Sequence, residues 1–329
     1  VGNQIDTSRP LYVERVNAVI DYVEQHLCEE LTLEQLAAVA HFSPFHFHRV
    51  FTVLAGETLG RFINRLRLER AASLLIQHPQ RSVTDVAVAC GLPNPSTFAR
   101  SFREAFGMSA TDWRKGGYLD YEARPGESTR DIIGNLGVLK DGYGVTAASY
   151  DPHTGRQSWT ISCGDLGPAT VAIEEIPDLE VAYVRHTGRY QGLGEVFADI
   201  FGRLTTWAAP RRLLGVDSLI LAVYHDNPSI TAADRLRVSA CITVPPETPP
   251  DGEVGRMSIA GGTYAVARFE LGEKDYGIAW FALAGGWLPD SGFEPDDRLH
   301  FERYPVAAAT APERQVVDIC LPVRPLRYY

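Results

Sequence analysis

Two octapeptides, Pro44-Phe45-His46-Phe47-His48-Arg49-Val50-Phe51 and Pro95-Ser96-Thr97-Phe98-Ala99-Arg100-Ser101-Phe102, hold Pro, Phe, Arg and Phe at a constant offset of 51. Gly56 and Gly107 keep that offset, and Leu36-Ala37-Ala38-Val39-Ala40 faces Val86-Ala87-Val88-Ala89-Cys90 at an offset of 50. Matched spacing of this kind marks one supersecondary unit present twice. Each copy reads as helix, tight turn, helix. In the first, Thr32 and Gln35 form a capping pair, Leu33, Leu36, Ala37 and Ala40 recur at helical spacing, and Ser43-Pro44 starts the next helix. In the second, Ser82 or Thr84 opens, Gly91 breaks and Asn94-Pro95 restarts. Gly91 stands where such a turn wants a positive φ, and His41 takes that place in the first copy.

On the second helix of copy one, Phe47, Val50, Phe51 and Leu54 form a core stripe, leaving Phe45, His48 and Arg49 outward. In copy two the stripe is Phe98, Phe102 and Phe106 or Ala105, leaving Ser96, Ala99, Arg100 and Arg103 outward. A lone outward Arg is usually only solvated; one at matched positions of two copies suits phosphate or guanine contact. Between the copies, Leu59 to Ile76 reads as an amphipathic helix. Its length of ~27 Å can hold two reading heads about one DNA turn apart.

Charge agrees with this division. The net charge of −10 splits into −5 over residues 1–40 (2 basic, 7 acidic), +5 over 41–116 (10 and 5) and −10 over 117–329 (19 and 29). A basic block inside an acidic chain fits a DNA-contacting module beside a separate module, because phosphate attraction decays within about 10 Å. The length of 329 residues predicts two domains, possible disulfides are discounted by five scattered cysteines without a CxxC, and the longest apolar run, Ile278 to Leu288, is too short to span a membrane. The expectation is a cytoplasmic protein with no membrane partner. His41, His46 and His48 lack ligand spacing, so no metal is expected, and no motif calls for a cofactor.

Residues 9–115 resemble the DNA-binding domain of the AraC/XylS family of transcription regulators. The resemblance rests on S-P-x-x-F-x-R-x-F, on Arg67, Ala71, Leu74 and Leu75 of the linking helix, on V-A-x-x-C-G, and on the F-G-M-S-x-x-x-W-R-K ending. It implies an all-α double helix-turn-helix domain that binds two adjacent major grooves of promoter DNA, with RNA polymerase as a further partner. By the family's pattern the base-facing positions fall on Phe45, His48 and Arg49, then on Pro95, Ser96, Ala99 and Arg100. Pro95, Ser96 and Ala99 offer few donors, so the second head is expected mainly to position on phosphates.

Residues 116–167 hold ten glycines in 52 residues and read as a Gly-rich linker, with a hairpin at Val145 to Tyr150 and Arg156 to Ile161. Beyond residue 168, short β-branched and aromatic runs alternate with two helices, and Ala182/Ala265, Arg185/Arg268 and Phe197/Trp280 share an offset of 83. Two strand-strand-helix-strand-strand repeats predict an α+β domain over 168–325 with an antiparallel sheet of about eight strands. This half resembles the GyrI-like effector-binding domain, through Tyr224-His225-Asp226-Asn227-Pro228, Gly261-Gly262-x-Tyr264-Ala265-Val266 and Phe301-Glu302-Arg303-Tyr304. The resemblance implies a small-molecule effector site with Glu302 in a hydrophobic pocket. His300, Glu302 and Tyr304 share one strand face, and Tyr183, Phe197, Tyr224, Tyr264, Trp280 and Trp287 are candidate walls, each also readable as core. A carboxylate among aromatic rings suits a lipophilic cation. Three rival readings are hydrolysis with Glu302 as general base and Trp280 positioning the substrate, sequestration of hydrophobic toxic compounds, and an architectural DNA-binding role. Glu302 could equally pair with Arg303 or Arg268.

Overall fold

The computed structural model describes residues 8–121, 143–151, 156–215, 217–305 and 314–326. The chain divides into two compact units, one built on the N-terminal helices and one on a large antiparallel sheet.

The first unit contains α1 (Ser8–Gln25), α2 (Leu33–Val39), α3 (Pro44–Ala55), α4 (Leu59–Gln77), α5 (Val83–Ala89), α6 (Pro95–Phe106) and α7 (Ala110–Arg114). The helix starts follow the side chains expected to satisfy the first free amides. Thr32 and Gln35 form a reciprocal capping box, Ser82 caps Asp85 N, and Asn94 caps Thr97 N ahead of Pro95. Both turns use positive φ, +53° at His41 and +73° at Gly91. A Cβ at Gly91 would lie about 3.0 Å from the Arg67 side chain, so glycine there serves close approach as well as the turn. Arg67 in turn donates to the carbonyls of Leu27 (2.8 Å) and Glu29 (2.6 Å), satisfying backbone just after α1.

Helix α4 serves two cores. Leu59, Phe62, Ile63 and Leu66 join Phe47 and Phe51 of α3 in the first, while Leu68, Ala71, Ala72, Leu74 and Leu75 join Phe98, Phe102, Phe106 and Trp113 in the second. Ala37 and Ala87 are buried in corresponding places, leaving room for the helices that cross them. Phe106 is buried and Ala105 exposed, which settles the last position of the second stripe.

The second unit holds β1 (Tyr143–Asp151), β2 (Arg156–Cys163), β3 (Pro168–Ile176), β4 (Leu179–Thr187), α8 (Gly194–Ala208), β5 (Ile220–Tyr224), β6 (Arg237–Thr243), β7 (Gly255–Ile259), β8 (Gly262–Leu271), α9 (Tyr276–Phe281), β9 (Phe293–Pro295), β10 (His300–Tyr304) and β11 (Gln315–Pro325). The sheet runs β1-β2-β3-β8-β11-β10-β5-β6-β4-β7, with β9 paired to β11. The two repeats supply eight of these strands, as the offset of 83 predicts. The other three are β1, β2 and β9.

The expected linker over 116–167 needs correction. From Tyr143 onward it is sheet: β1 and β2 pair from Tyr143↔Cys163 to Asp151↔Arg156, and β2 pairs with β3 from Ser158↔Ala172 to Ser162↔Pro168. Trp159, Ile161 and Cys163 are buried with Trp287 in the core of this unit, so the alternation of β2 is that of a strand covered on one face. A boundary at residue 168 therefore falls between two paired strands. Residues 122–142 lie outside the described residues.

The second of the two expected helices is not one continuous α-helix. After α9 the chain forms a π-helical turn, Ala282–Trp287, and a 3-10 turn, Leu288–Asp290. Pro289 lacks the amide that an α-helix would need. At Gly285 a Cβ would lie 2.5 Å from the Phe281 ring, so the ring occupies space that only glycine leaves free.

Candidate functional site

On the helical unit the outward positions are placed by the core stripes opposite them. Pro95, Ser96, Ala99, Arg100 and Arg103 of α6 are exposed, as is His48 of α3. The side chains of Phe45, His46 and Arg49 lie outside the described residues, though their backbone is helical within α3. The exposed α6 face and the backbone placement of α3 thus give two equivalent helices, each following a tight turn and each anchored to the same α4.

In the sheet unit the site is built on β10. Strand alternation turns Phe301 to one face, where it packs with Tyr183, Tyr264 and Val266, and turns His300, Glu302 and Tyr304 to the other. Glu302 opposes Ala222 on β5 and Ile319 on β11. Those small or aliphatic neighbours leave its carboxylate to be met from above by longer side chains. Tyr224 Oη donates to Glu302 Oε2 at 2.8 Å, Tyr304 Oη to Oε2 at 2.6 Å, and Trp280 Nε1 to Oε1 at 2.7 Å. Glu302 is 0% exposed, whereas Tyr224, Trp280 and Tyr304 remain partly exposed. A carboxylate thus lies beneath a set of aromatic rings that solvent reaches.

Two helices flank it. From α8, Phe201 stands edge-on to Tyr304 with centroids 5.7 Å apart, and Phe197 meets Tyr190 at 6.0 Å, which in turn lies 5.8 Å from Tyr224. From α9, Trp280 is edge-on to Tyr224 at 5.9 Å and to His300 at 5.3 Å. The matched pair Phe197/Trp280 therefore marks the two flanking helices, with Trp280 directly on the carboxylate and Phe197 one ring further out.

Electrostatics follow burial. Desolvation raises the Glu302 pKa above the ordinary carboxylate value, partly opposed by hydrogen bonds from Tyr304, Trp280 and Tyr224. Burial, followed by the charge of Glu302, pushes Tyr224 and Tyr304 well above the usual phenol range, so both stay protonated donors. Tyr276 is raised to about 12 by the same causes. Burial, followed by the charge of His225, lowers His300 to about 4, against a smaller opposing effect of Asp226.

His300 provides a signed test by linkage. Its folded pKa lies below the unfolded value of about 6.5, so the unfolded chain takes up more protons between the two, and stability falls as pH drops from about 6.5 toward about 4. His300→Phe should therefore lose less thermal stability than the parent chain over that window, read as Tm against pH. An equal slope in both proteins would contradict a neutral, partly buried imidazole.

Three expected wall residues are corrected. Tyr183 and Tyr264 are fully buried on the opposite face of the sheet. The register shows why: Tyr183 lies opposite Cys241, which lies opposite Leu221, which lies opposite Arg303, one residue out of step with Glu302. Tyr264 donates to the Ala260 and Leu299 carbonyls there. Trp287 is core, stacked on Phe293 and edge-on to Trp159. Glu302 has no part in an ion pair with Arg303 or Arg268. Both arginines hold Asp318 instead, at 2.9 and 2.6 Å. Sequence reasoning missed Tyr190, Phe201 and Tyr276. The last two sit one helical turn from Phe197 and Trp280, an i, i+4 signal that was available.

Among the described residues no group of His, Cys, Asp and Glu could hold a metal ion, and no helix is long and apolar enough to cross a membrane.

Residues 169–324 match the GyrI-like small molecule binding domain, and residues 36–116 match a helix-turn-helix domain. A DNA gyrase inhibitor of Edwardsiella ictaluri is 35% identical over 128 residues, which is 38% of this chain and 80% of that protein. The bifunctional transcriptional activator/DNA repair enzyme AdaA of Bacillus subtilis is 33% identical over 102 residues, 31% of this chain and 48% of that one. The HTH-type transcriptional activator RhaS of Klebsiella pneumoniae is 36% identical over 102 residues, 31% of this chain and 36% of that one. The chain thus spans about half or less of the length of these two activators. With a duplicated helix-turn-helix unit in one half and a GyrI-like small-molecule-binding domain around Glu302 in the other, the chain carries an AraC-type helix-turn-helix domain and, through its sheet unit, belongs to the GyrI-like family.

Proposed function

We propose that this chain is a sequence-specific DNA-binding transcription regulator whose C-terminal domain binds a lipophilic cationic effector, with RNA polymerase as its partner at the promoter. The observation that carries the effector half is Glu302: fully buried, holding three hydrogen bonds, and roofed by partly exposed aromatic rings. A cation above those rings would gain charge attraction from below and π contact from the sides. Three donors already occupy most of the carboxylate lone pairs, which favours holding a cation over abstracting a proton. This supports a sensor over a hydrolase, and we assign no catalytic role to the chain.

The DNA half rests on the two equivalent reading helices. Phe45, His48 and Arg49 of α3 read bases in one major groove, while Pro95, Ser96, Ala99, Arg100 and Arg103 of α6 dock in the next. Arg49→Ala is expected to cost about 1–3 kcal/mol of discrimination between the selected site and random DNA, whereas Arg100→Ala weakens both more evenly. Binding of both falls steeply with salt. Equal loss of specificity in the two variants at one fixed salt concentration would contradict the division of labour. Calorimetric titration of the full chain with tetraphenylphosphonium and with neutral tetraphenylmethane derivatives made soluble tests the effector half. Binding of the cation alone, or with clear preference, supports it, and equal binding of both overturns it.

A further inference from the structure

We propose that His300 is a second polar reading point of the effector site, selecting cations that carry a hydrogen-bonding group about 7 Å from their positive centre. This rests on the reading of the Glu302 site as a cation site and adds what else the ligand must carry. His300 shares the β10 face with Glu302, two residues away, and two strand residues span ~7 Å. Its ring lies nearly parallel to Tyr224, at 6.1 Å and 11°, and edge-on to Trp280 at 5.3 Å. These are two of the three side chains that donate to Glu302, so the imidazole lines the same aromatic enclosure.

The donor hydrogens that point at Glu302 are committed. Tyr224, Tyr304 and Trp280 spend their hydrogens on Glu302. Among the described residues the His300 ring makes no side-chain hydrogen bond, and neither ring nitrogen is a buried atom lacking a partner. Among the described residues, this half-buried imidazole beside those committed donors is placed to address a ligand's own polar group. Burial and His225 favour its neutral form, and Asp226 opposes them weakly. A neutral imidazole carries one donor and one acceptor. It can therefore meet a hydroxyl, an amine or a carbonyl without adding positive charge next to a bound cation.

A matched pair of probes tests this on the full chain: triphenylphosphonium bearing a 4-hydroxybutyl chain, and the same head bearing a pentyl chain of equal length. Kd for each is measured by calorimetry with the parent chain, His300→Phe and His300→Gln. The parent should prefer the hydroxyl probe relative to His300→Phe by about five-fold. His300→Gln, which keeps a donor and an acceptor, should recover part of that preference, while the pentyl probe binds all three proteins within about two-fold. A hydroxyl preference unchanged in His300→Phe, with both probes still bound, would overturn the role of His300 and leave the cation site standing. Failure of both probes to bind the parent chain would instead overturn the cation reading, and this proposal with it.

Discussion

Replacing Glu302 with Gln is expected to weaken a lipophilic cation about 100-fold, roughly 2.8 kcal/mol, while leaving a neutral ligand of the same shape nearly unaffected. Burial at 0% exposure penalises the ionised form of the carboxylate, and an entering cation offsets that cost. Gln preserves shape, and the hydroxyls of Tyr224 and Tyr304 can rotate to suit its amide, so the fold should survive. The pH dependence has a definite sign. Because burial raises the Glu302 pKa, protons compete with the cation at higher pH than for an exposed carboxylate, and the affinity of a permanent cation falls as pH drops through that raised value. In Glu302→Gln this fall should be absent. Calorimetry across pH with both proteins reads both effects. Cation affinity that is the same in the two proteins at every pH would make Glu302 a structural residue.

The second large effect belongs to the DNA-binding unit. Trp113 is fully buried in the short helix α7, donates from Nε1 to the Ala72 carbonyl of α4 at 3.0 Å, and lies 4.8 Å from Phe106 and 5.1 Å from Tyr121 by ring centroids. It ties the end of the second helix-turn-helix to the helix that both copies share. Trp113→Ala should cost about 3–5 kcal/mol of stability through the cavity it leaves. The Ala72 carbonyl would also lose its side-chain donor. Denaturant unfolding of residues 8–121 within the full chain, followed by tyrosine and amide signals, should show that loss while the sheet unit keeps its own transition. A change under 1 kcal/mol would mean that α7 contributes little to the second reading head.

Much of this was legible because periodicity and duplication are robust signals. The helical stripe Phe98, Phe102 and Phe106, the capping residues Thr32, Ser82 and Asn94, and the turn positions His41 and Gly91 all stand where spacing placed them. Glu302 and Tyr304 share a face because strand alternation within one element is a local property. Tyr183 and Tyr264 were misplaced for the complementary reason. Which face of one strand matches which face of another depends on register across the sheet, and that is set by pairings between distant residues. The β1–β2 hairpin was legible as a hairpin, but glycine content hid its place in the sheet, which depends on the pairing of β2 with β3. Tyr190 lies in a loop between β4 and α8, where no period signals its contact with Tyr224.

A chain that grips DNA through two matched helices must cover two grooves at once. Hydroxyl-radical footprinting of the full chain on DNA selected from random sequence reads that coverage. Protection is expected in two adjacent major grooves about one helical turn, ~34 Å, apart on one face of the duplex. Protection confined to a single groove, or none at concentrations that saturate binding, would contradict a grip through both helices.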